Sequence, residues 1–185
     1  MKFFTADTHF GKTKTKGIMH RDFESCLEMT EYIIEKINAC CLKTDELYIL
    51  GDFASEVPGR WLQAINCKSK FLIRGNHDPG MEKCRKVFGY HKVWDIKETK
   101  INGIITVMCH YPMFFWNKSH IGSFCLGGHI HNKTVDIQKI YKNFPEIKWL
   151  DVGVDSAKEL LGDYMPFSED FIYELLSGRQ GHHFV

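Results

Sequence analysis

The sequence has no apolar run that approaches the roughly 20 residues needed to cross a membrane. Its first residues carry no signal-peptide pattern, because a short apolar stretch leads directly into polar residues. A net charge of +1 at pH 7 gives no indication of a broad surface for nucleic acid or for a membrane. We therefore expect a cytoplasmic protein that binds neither partner over a wide area.

The chain also lacks any Cys-x-x-Cys pair, although it contains seven cysteines. An odd number of thiols without paired spacing favours reduced, mostly buried cysteines over a disulfide framework. No internal repeat, low-complexity segment or linker divides the sequence. Its 185 residues, 44% of them hydrophobic and 25% charged, suffice for one core, and we predict a single domain over residues 1–185.

Apolar runs and helical patterns alternate in the first half of the chain. Residues 2–6, 47–50 and 71–73 are predicted to be strands. A helix is predicted to begin near Ser25, because Ser25-x-x-Glu28 has the form of a capping box, and Leu27 is expected on its apolar face. The resulting β-α-β-α-β-α order predicts a parallel sheet covered by helices.

The second half has a different pattern. Asn102-Gly103, a strong hairpin signal, joins predicted strands at 92–101 and 104–108. Further short strands are predicted at 124–126, 134–137 and 148–154, and residues 168–176 are expected to form a final helix or an irregular tail. The whole chain is therefore expected to form an α/β sandwich with a parallel half and a more antiparallel half.

Polar clusters follow five of the predicted strands. They are Asp7-Thr8-His9, Gly51-Asp52, Gly75-Asn76-His77-Asp78, Cys109-His110 and Gly128-His129-Ile130-His131. Any one cluster has a plain explanation as a turn or as a buried, hydrogen-bonded histidine. Five of them at strand ends indicate a ligand site, because open α/β sheets bind ligands at the carboxyl ends of their strands.

The residue types in these clusters indicate metal binding. Imidazoles, carboxylates and an amide without a thiolate partner suit Mn, Fe, Zn, Co or Ni better than a structural zinc site. The set is too large for one tetrahedral ion, and a carboxylate such as Asp52 can bridge two ions. In the third cluster we expect Asn76 to bind metal, His77 to move a proton and Asp78 to steady His77.

The motifs, in this order, resemble those of the calcineurin-like metallophosphoesterases over residues 4–131. The resemblance implies a four-layer α/β/β/α sandwich with mixed sheets and a centre of two divalent ions, with Mn favoured over Fe, Zn, Ni or Co. It also implies the metal ligands. Asp7, His9 and His131 would hold the first ion, Asn76, His110 and His129 would hold the second, and Asp52 would bridge the two. His77 would be the outer-sphere acid, oriented by Asp78.

The implied activity is phosphoester hydrolysis by a hydroxide that bridges the two ions. A small or accessible phosphodiester, such as a nucleotide, is expected because little chain follows the motifs. A phosphomonoester is the alternative substrate, and a non-catalytic metal-binding scaffold the alternative function. Oligomeric state is left open, with a dimer as one alternative.

Four residues are candidates for contacting the substrate. Arg21 and Arg74 are candidate phosphate clamps. Asn117 and Lys118 lie in an aromatic segment, residues 111–122, that can stack a base and contact a phosphate. Two alternatives for this segment are that its aromatic residues cover the core or form a dimer contact.

Overall fold

The structure is a computed structural model that describes residues 1–12, 21–54, 58–131 and 147–178. Its strands are β1 (Lys2–Thr5), β2 (Glu46–Ile49), β3 (Ser69–Ile73), β4 (Val93–Trp94), β5 (Ile96–Ile101), β6 (Ile104–Cys109), β7 (Phe124–Gly127), β8 (Trp149–Asp151) and β9 (Phe167–Ser168). The helices in this described part are α1 (Cys26–Cys40), α2 (Pro58–Ala64), α3 (Met81–Phe88), α4 (Val154–Leu161) and α5 (Glu169–Ser177), with short 3-10 helices at Tyr90–Lys92 and Ser119–Ile121. None of the helices described is both long enough and apolar enough to span a membrane. The strand predicted at 134–137 lies outside the described residues.

The first sheet has the strand order β4-β3-β2-β1-β9. Pairing from β1 through β4 is parallel, in a register that joins Phe4 to Tyr48 and Tyr48 to Phe71. Only the short β9 is antiparallel to its neighbour, β1. The parallel half predicted from the alternation of strands and helices is confirmed.

Helix α1 begins at the predicted cap. The Ser25 hydroxyl accepts a hydrogen bond from the amide of Glu28 at 3.1 Å. The Glu28 carboxylate accepts from the amide of Glu24 at 2.8 Å, one residue before the position that a capping box requires. Leu27 is 50% exposed, so its predicted burial was wrong, and the buried stripe starts at Met29 instead.

The second sheet has the order β5-β6-β7-β8 and is mixed. Asn102 and Gly103 form the predicted hairpin turn with φ of 45° and 83°, and β5 pairs antiparallel to β6. However, β6 pairs parallel to β7, and β7 parallel to β8. The predicted antiparallel character was therefore wrong for those pairs. Between β6 and β7, the long connection over 110–123 returns the chain to the end of the sheet at which β6 begins, so the two strands run in the same direction.

Two predicted strands are divided between elements. The run at 92–101 crosses from one sheet to the other at Asp95, since β4 pairs with β3 and β5 pairs with β6. The run at 148–154 ends as a strand at Asp151 and continues into α4. Both divisions matter for the site, because they bring the ends of the two sheets together.

Side chains along a strand point alternately to the two faces of its sheet. One face of each sheet can therefore pack against the other sheet. On β1, Phe3 faces a core shared with helices α1–α3, whereas Phe4 faces a second core that includes Met108 and Leu126 of the other sheet. Both faces of β1 are thus buried at its two phenylalanines, as is usual for a strand inside a parallel sheet. The predicted α/β sandwich of mixed sheets is confirmed.

Candidate metal centre

The polar clusters lie at one rim, where the carboxyl ends of strands from both sheets meet. Asp7, His9, Asp52, Asn76 and His77 follow β1, β2 and β3 of the first sheet, and His110, His129 and His131 follow β6 and β7 of the second. A parallel bridge between Ala6 and Gly153 links the end of β1 to the residues after β8. The rims of the two sheets are therefore joined directly beside the candidate ligands.

Backbone hydrogen bonds hold the loops of the rim in register. The amide of Asp7 donates to the carbonyl of Gly51 at 3.0 Å, and the amide of His9 donates to the carbonyl of Asp52 at 2.9 Å. Across the second sheet, the amide of Gly128 donates to the carbonyl of His110 at 2.9 Å. These bonds extend the sheet pairing past the strand ends, so the side chains start from ordered backbone.

The first group of ligand atoms belongs to Asp7, His9 and His131. One atom from each residue lies within 4.8 Å of the others. The His9 and His131 rings are stacked with centroids 5.3 Å apart, and His131 Nε2 is 3.8 Å from Asp7 Oδ1. Two imidazole nitrogens and a carboxylate oxygen thus converge on one point.

Asp52 lies between this group and a second one. Its Oδ2 is 3.5 Å from His9 Nε2, and its Oδ1 is 3.6 Å from His110 Nε2. Asp7, Asp52 and His110 form a second convergent group within 4.8 Å. The Asp52 carboxylate therefore has one oxygen beside His9 and the other beside His110.

Asn76 and His129 complete the second group on its open side. Asn76 Oδ1 is 3.1 Å from His110 Nε2, and the His129 ring centroid is 5.1 Å from that of His110. Both side chains are exposed, as is that of His77, whose ring lies 5.4 Å from the His9 ring. These exposed residues form the mouth of the centre.

Hydrogen bonds fix which nitrogen of two histidines carries a proton. His110 Nδ1 is 2.8 Å from the carbonyl of Leu50, which only accepts, so Nδ1 donates and Nε2 keeps its lone pair. His131 Nδ1 is 2.7 Å from the Asp155 carboxylate, which leaves its Nε2 lone pair directed at Asp7. Such partners on the far nitrogen are typical of metal-binding histidines.

Two buried polar atoms of the rim, Asp7 Oδ1 and His9 Nε2, have no hydrogen-bond partner among the residues that the structure describes. In addition, the His110 Nε2 lone pair faces the Asn76 carbonyl oxygen, so an acceptor meets an acceptor. Buried acceptors without donors are costly unless a cation satisfies them. The donor set, made of oxygens and imidazole nitrogens, fits divalent metal ions.

Burial favours the neutral form of three histidines of the rim, which is the form that binds metal. It lowers the pKa of His9 to about 2, with help from the neighbouring His131, and it also lowers the pKa of His110 and His129. Burial, followed by the charges of Asp151 and Asp52, raises the pKa of Asp7 well above its usual value. A cation at this point would favour the ionised carboxylate.

The backbone at the candidate ligands adopts an unusual conformation. Among the described residues other than glycine, seven have φ in the left-handed region, and five of the seven are Asp7 (56°), His9 (48°), Asp52 (52°), His129 (74°) and His131 (49°). Each such residue costs about 1–3 kcal/mol, and such strain clusters at functional sites. The rim therefore carries strain at the residues whose side chains converge.

Two motif glycines are required by close approach. A Cβ on Gly51, which has φ of 88°, would lie 2.3 Å from His110 Nδ1. A Cβ on Gly75 would lie 2.3 Å from Asp52 Oδ1. Larger residues at these positions would displace the ligands themselves.

Asp78 is engaged with backbone amides, and its predicted action on His77 stays a prediction. Its carboxylate accepts hydrogen bonds from the amides of Asp52 (2.8 Å), Phe53 (2.9 Å) and Gly75 (2.8 Å). A buried carboxylate needs donors, and these amides at the ends of β2 and β3 are the donors it finds. The backbone of His77 is held instead by its amide, which donates to Asp52 Oδ1 at 2.8 Å.

The structure places the two arginines differently. Arg21 is buried and makes paired bonds to Asp155 at 2.8 Å each. Arg74 bonds Asp95 at the surface, with its Nη2 2.9 Å from the carboxylate. The predicted role of Arg21 as a clamp is corrected, since its guanidinium is buried against a carboxylate, whereas that of Arg74 stays a prediction, because an exposed ion pair is weak.

The other two candidates lie in a turn that is held by its own contacts. Asn117 donates to Glu98 on β5 at 2.9 Å, and the Lys118 carbonyl accepts from the amide of Ile121 at 3.1 Å. The aromatic residue of this segment that does reach the rim is Tyr111, whose ring lies 5.1 Å from that of His110 and 5.0 Å from that of His129. Tyr111 is 45% exposed beside the mouth.

Asp155 is the residue with a role at the site that sequence reasoning did not assign. It bonds both His131 and Arg21, yet lies in the first turn of α4, far from either in sequence. The sequence did contain one signal for this role. Asp155 follows Val152-Gly153-Val154 at the end of a predicted strand, as the other polar clusters follow theirs.

Comparisons with known proteins agree with this arrangement. A family model described as calcineurin-like phosphoesterase matches residues 3–176. No curated protein matches the sequence closely enough to count as a relative. A protein of unknown function from Aquifex aeolicus has a similar fold, with a TM-score of 0.65 at 23% identity over 95% of this chain and 98% of that chain. Yfce, a phosphoesterase from E. coli, matches at 12% identity and a TM-score of 0.46 over 83% of this chain and 78% of that chain.

Proposed function

Because the chain belongs to the calcineurin-like phosphoesterase family, we propose that it hydrolyses a phosphodiester at a centre of two divalent ions. Manganese is the favoured metal, with Fe, Zn, Ni or Co as alternatives. The observation that carries the proposal is the pair of convergent ligand groups that share Asp7, with buried acceptors that no protein donor satisfies. We take residues 1–185 as one catalytic domain.

Each ligand has a place in this proposal. Asp7, His9 and His131 would hold one ion, Asn76, His110 and His129 the other, and Asp52 would bind both. Divalent ions bound there supply Lewis-acid chemistry, because they acidify a coordinated water and polarise phosphoryl oxygens. The Leu50 carbonyl and the Asp155 carboxylate prepare the site for this, since they fix His110 and His131 with their Nε2 lone pairs directed inward.

His77 is the proposed proton donor to the leaving oxygen. Its side chain is exposed at the mouth, and its ring lies 5.4 Å from that of His9. Its amide is anchored on Asp52 Oδ1 at 2.8 Å, so the backbone of residue 77 is held beside the candidate ligands. An imidazole beside the leaving group can supply a proton near neutral pH.

The charge around the mouth supports a diester over a monoester. A monoester dianion gains most from cationic side chains, yet Arg21 and Arg74 are both engaged by carboxylates. A diester carries one negative charge and needs less compensation. The exposed ring of Tyr111 beside His110 and His129 supports a substrate with an aromatic group, such as a nucleotide.

A phosphomonoesterase with the same centre is the second candidate. A scaffold without activity is a weaker one, because such a protein would be expected to lack a ligand or the outer-sphere histidine. In this chain each position that the family motifs require is filled.

The test compares bis-p-nitrophenyl phosphate with p-nitrophenyl phosphate, with Mn²⁺ added to metal-free protein. We expect kcat/KM to favour the diester by about tenfold or more, which is about 1.4 kcal/mol of transition-state binding. A chelator should abolish both activities. Asp52→Asn should lose turnover and metal, whereas Asp163→Asn, which removes a carboxylate bonded to Lys36, should retain both.

Three results would change the proposal. A preference for the monoester would reverse the substrate assignment. Turnover that survives complete removal of metal would exclude the metal centre. A metal-loaded protein that cleaves neither ester would favour the scaffold.

A further inference from the structure

A buried ion pair lies directly behind the first ligand group. Arg21 Nε is 2.8 Å from Asp155 Oδ1, and Arg21 Nη2 is 2.8 Å from Asp155 Oδ2. This is the paired geometry in which a guanidinium binds a carboxylate most strongly. Arg21 is only 6% exposed, so water does not loosen the pair.

The pair contacts two ligands of the same group from opposite sides. Arg21 Nη2 also donates to the carbonyl of Asp7 at 2.7 Å, and Nη1 donates to the carbonyl of Thr8 at 3.4 Å. Asp155 Oδ2 accepts from His131 Nδ1 at 2.7 Å. One guanidinium and one carboxylate therefore tie the loop after β1 to the histidine that follows β7.

These contacts determine what the ligands present to an ion. Asp155 holds the proton on Nδ1 of His131, which frees Nε2 at 3.8 Å from Asp7 Oδ1. Arg21 fixes the backbone of Asp7 and Thr8, where φ of 56° at Asp7 needs support from its surroundings. Neither residue has its charged group free to contact a substrate.

We propose that the Arg21–Asp155 pair is a positioning unit that sets the affinity of the Asp7–His9–His131 group for its divalent ion. This inference rests on the proposed function in one respect, that the group binds a metal. It adds that the affinity depends on two residues that are not ligands. It also assigns Arg21 a new role, in which Arg21 contacts the metal ligands and does not contact the substrate.

The competing explanation is a purely structural role. Asp155 lies in the first turn of α4, and Arg21 could serve only to anchor that helix to the rest of the protein. In that case, loss of the pair would lower stability and affect both ion sites alike. Selective weakening of one site separates the two explanations.

The test measures Mn²⁺ binding to metal-free protein by isothermal titration calorimetry. For Asp155→Asn we expect one class of site to weaken by about 10–100-fold, the usual effect of removing a partner from a metal-binding histidine. The other class should remain close to wild type. His131→Ala identifies which class belongs to this group, and His129→Ala identifies the other.

A double variant strengthens the test. If Asp155 acts through His131, Asp155→Asn should weaken Mn²⁺ binding little further when combined with His131→Ala. Asp163→Asn is the matched control, because it removes a carboxylate 2.8 Å from Lys36 Nζ that contacts no ligand. It should leave both classes of site unchanged.

Arg21→Lys keeps the charge but not the paired bonds, so we expect it to weaken the same class less than Asp155→Asn does. It also carries the test if Asp155→Asn fails to fold. Equal binding by Arg21→Lys and wild type, or equal weakening of both classes in a folded variant, would overturn the inference while leaving the proposed function intact. A wild-type protein that binds no Mn²⁺ would overturn both.

Discussion

At the scale of single residues, burial separates the histidines of the rim by function. His9 and His110 are buried, and burial lowers the pKa of both, so they remain neutral and suited to bind metal. His77 and His129 both have exposed side chains at the mouth. Because His129 is a proposed metal ligand, His77 is the exposed histidine that we propose to exchange protons with the substrate.

His77→Ala should slow diester turnover by roughly 10²–10⁴-fold, because it removes the proposed proton donor. Metal content should not change, since the contact that anchors residue 77 is its backbone amide on Asp52. Steady-state kinetics and elemental analysis of the same sample check the two statements. Unchanged turnover in the metal-loaded variant would exclude His77 as the acid.

At the scale of elements, Asp78 joins the ends of two strands. Its carboxylate collects amides that follow β2 and β3, and all three hydrogen bonds are buried. The same turn carries Asn76 and His77, so the strand ends and the mouth of the centre depend on one side chain. Asp78 is thus important for the order of the turn that carries Asn76 and His77.

Asp78→Ala should lower the free energy of unfolding by about 1–3 kcal/mol for each amide left without an acceptor. Urea denaturation measures this change. Asp95→Ala is the control, because Asp95 is an exposed partner of Arg74 and such surface pairs contribute at most about 1 kcal/mol. If Asp78→Ala kept full stability but lost turnover, an action of Asp78 through His77 would be favoured.

Local signals predicted the elements that depend on neighbours in sequence. The Ser25 cap, the Asn102-Gly103 turn and the parallel order of the first sheet follow from short-range patterns. The crossing at Asp95 could not be predicted, because residues 92–101 form an unbroken strand pattern and only packing assigns them to different sheets. The start of α4 was missed because apolar residues continue past the end of β8, at Val152 and Val154.

The candidate site shows the same division. The residues that the structure brings together follow strand ends, and strand ends are visible in sequence. Their roles as ligands stay predictions until metal is measured. The partners of these residues were not predictable, since Arg21 and Asp155 are 134 positions apart and meet only in the folded protein.

At the scale of the whole molecule, the centre lies between the two sheets. The loops after β1, β2 and β3 supply one part of the ligand set, and those after β6 and β7 supply the other. Ions held there would add a connection between two sheets that already meet through apolar packing and through the bridge between Ala6 and Gly153. Metal binding should therefore affect the stability of the entire fold.

Mn²⁺ at about 100 times its Kd should stabilise the folded protein by about 2.7 kcal/mol per site. Thermal denaturation with increasing Mn²⁺ should show a rising Tm, which a chelator reverses. The rise should be much smaller for Asp52→Asn, because Asp52 faces both His9 and His110. A Tm that does not respond to metal in the wild-type protein would contradict the proposed centre.

Five candidate ligands have a left-handed backbone conformation, namely Asp7, His9, Asp52, His129 and His131. At these positions the residue that gives the most folded protein should differ from the residue that activity requires. Glycine adopts such a conformation freely, whereas any other residue is strained there. In a library scored for folded protein alone, glycine should therefore outperform alanine at these positions, although both destroy the ligand. A library scored for hydrolysis should contain neither substitution. A position at which glycine is favoured for folding but absent from the active variants would therefore be identified as a metal-binding position.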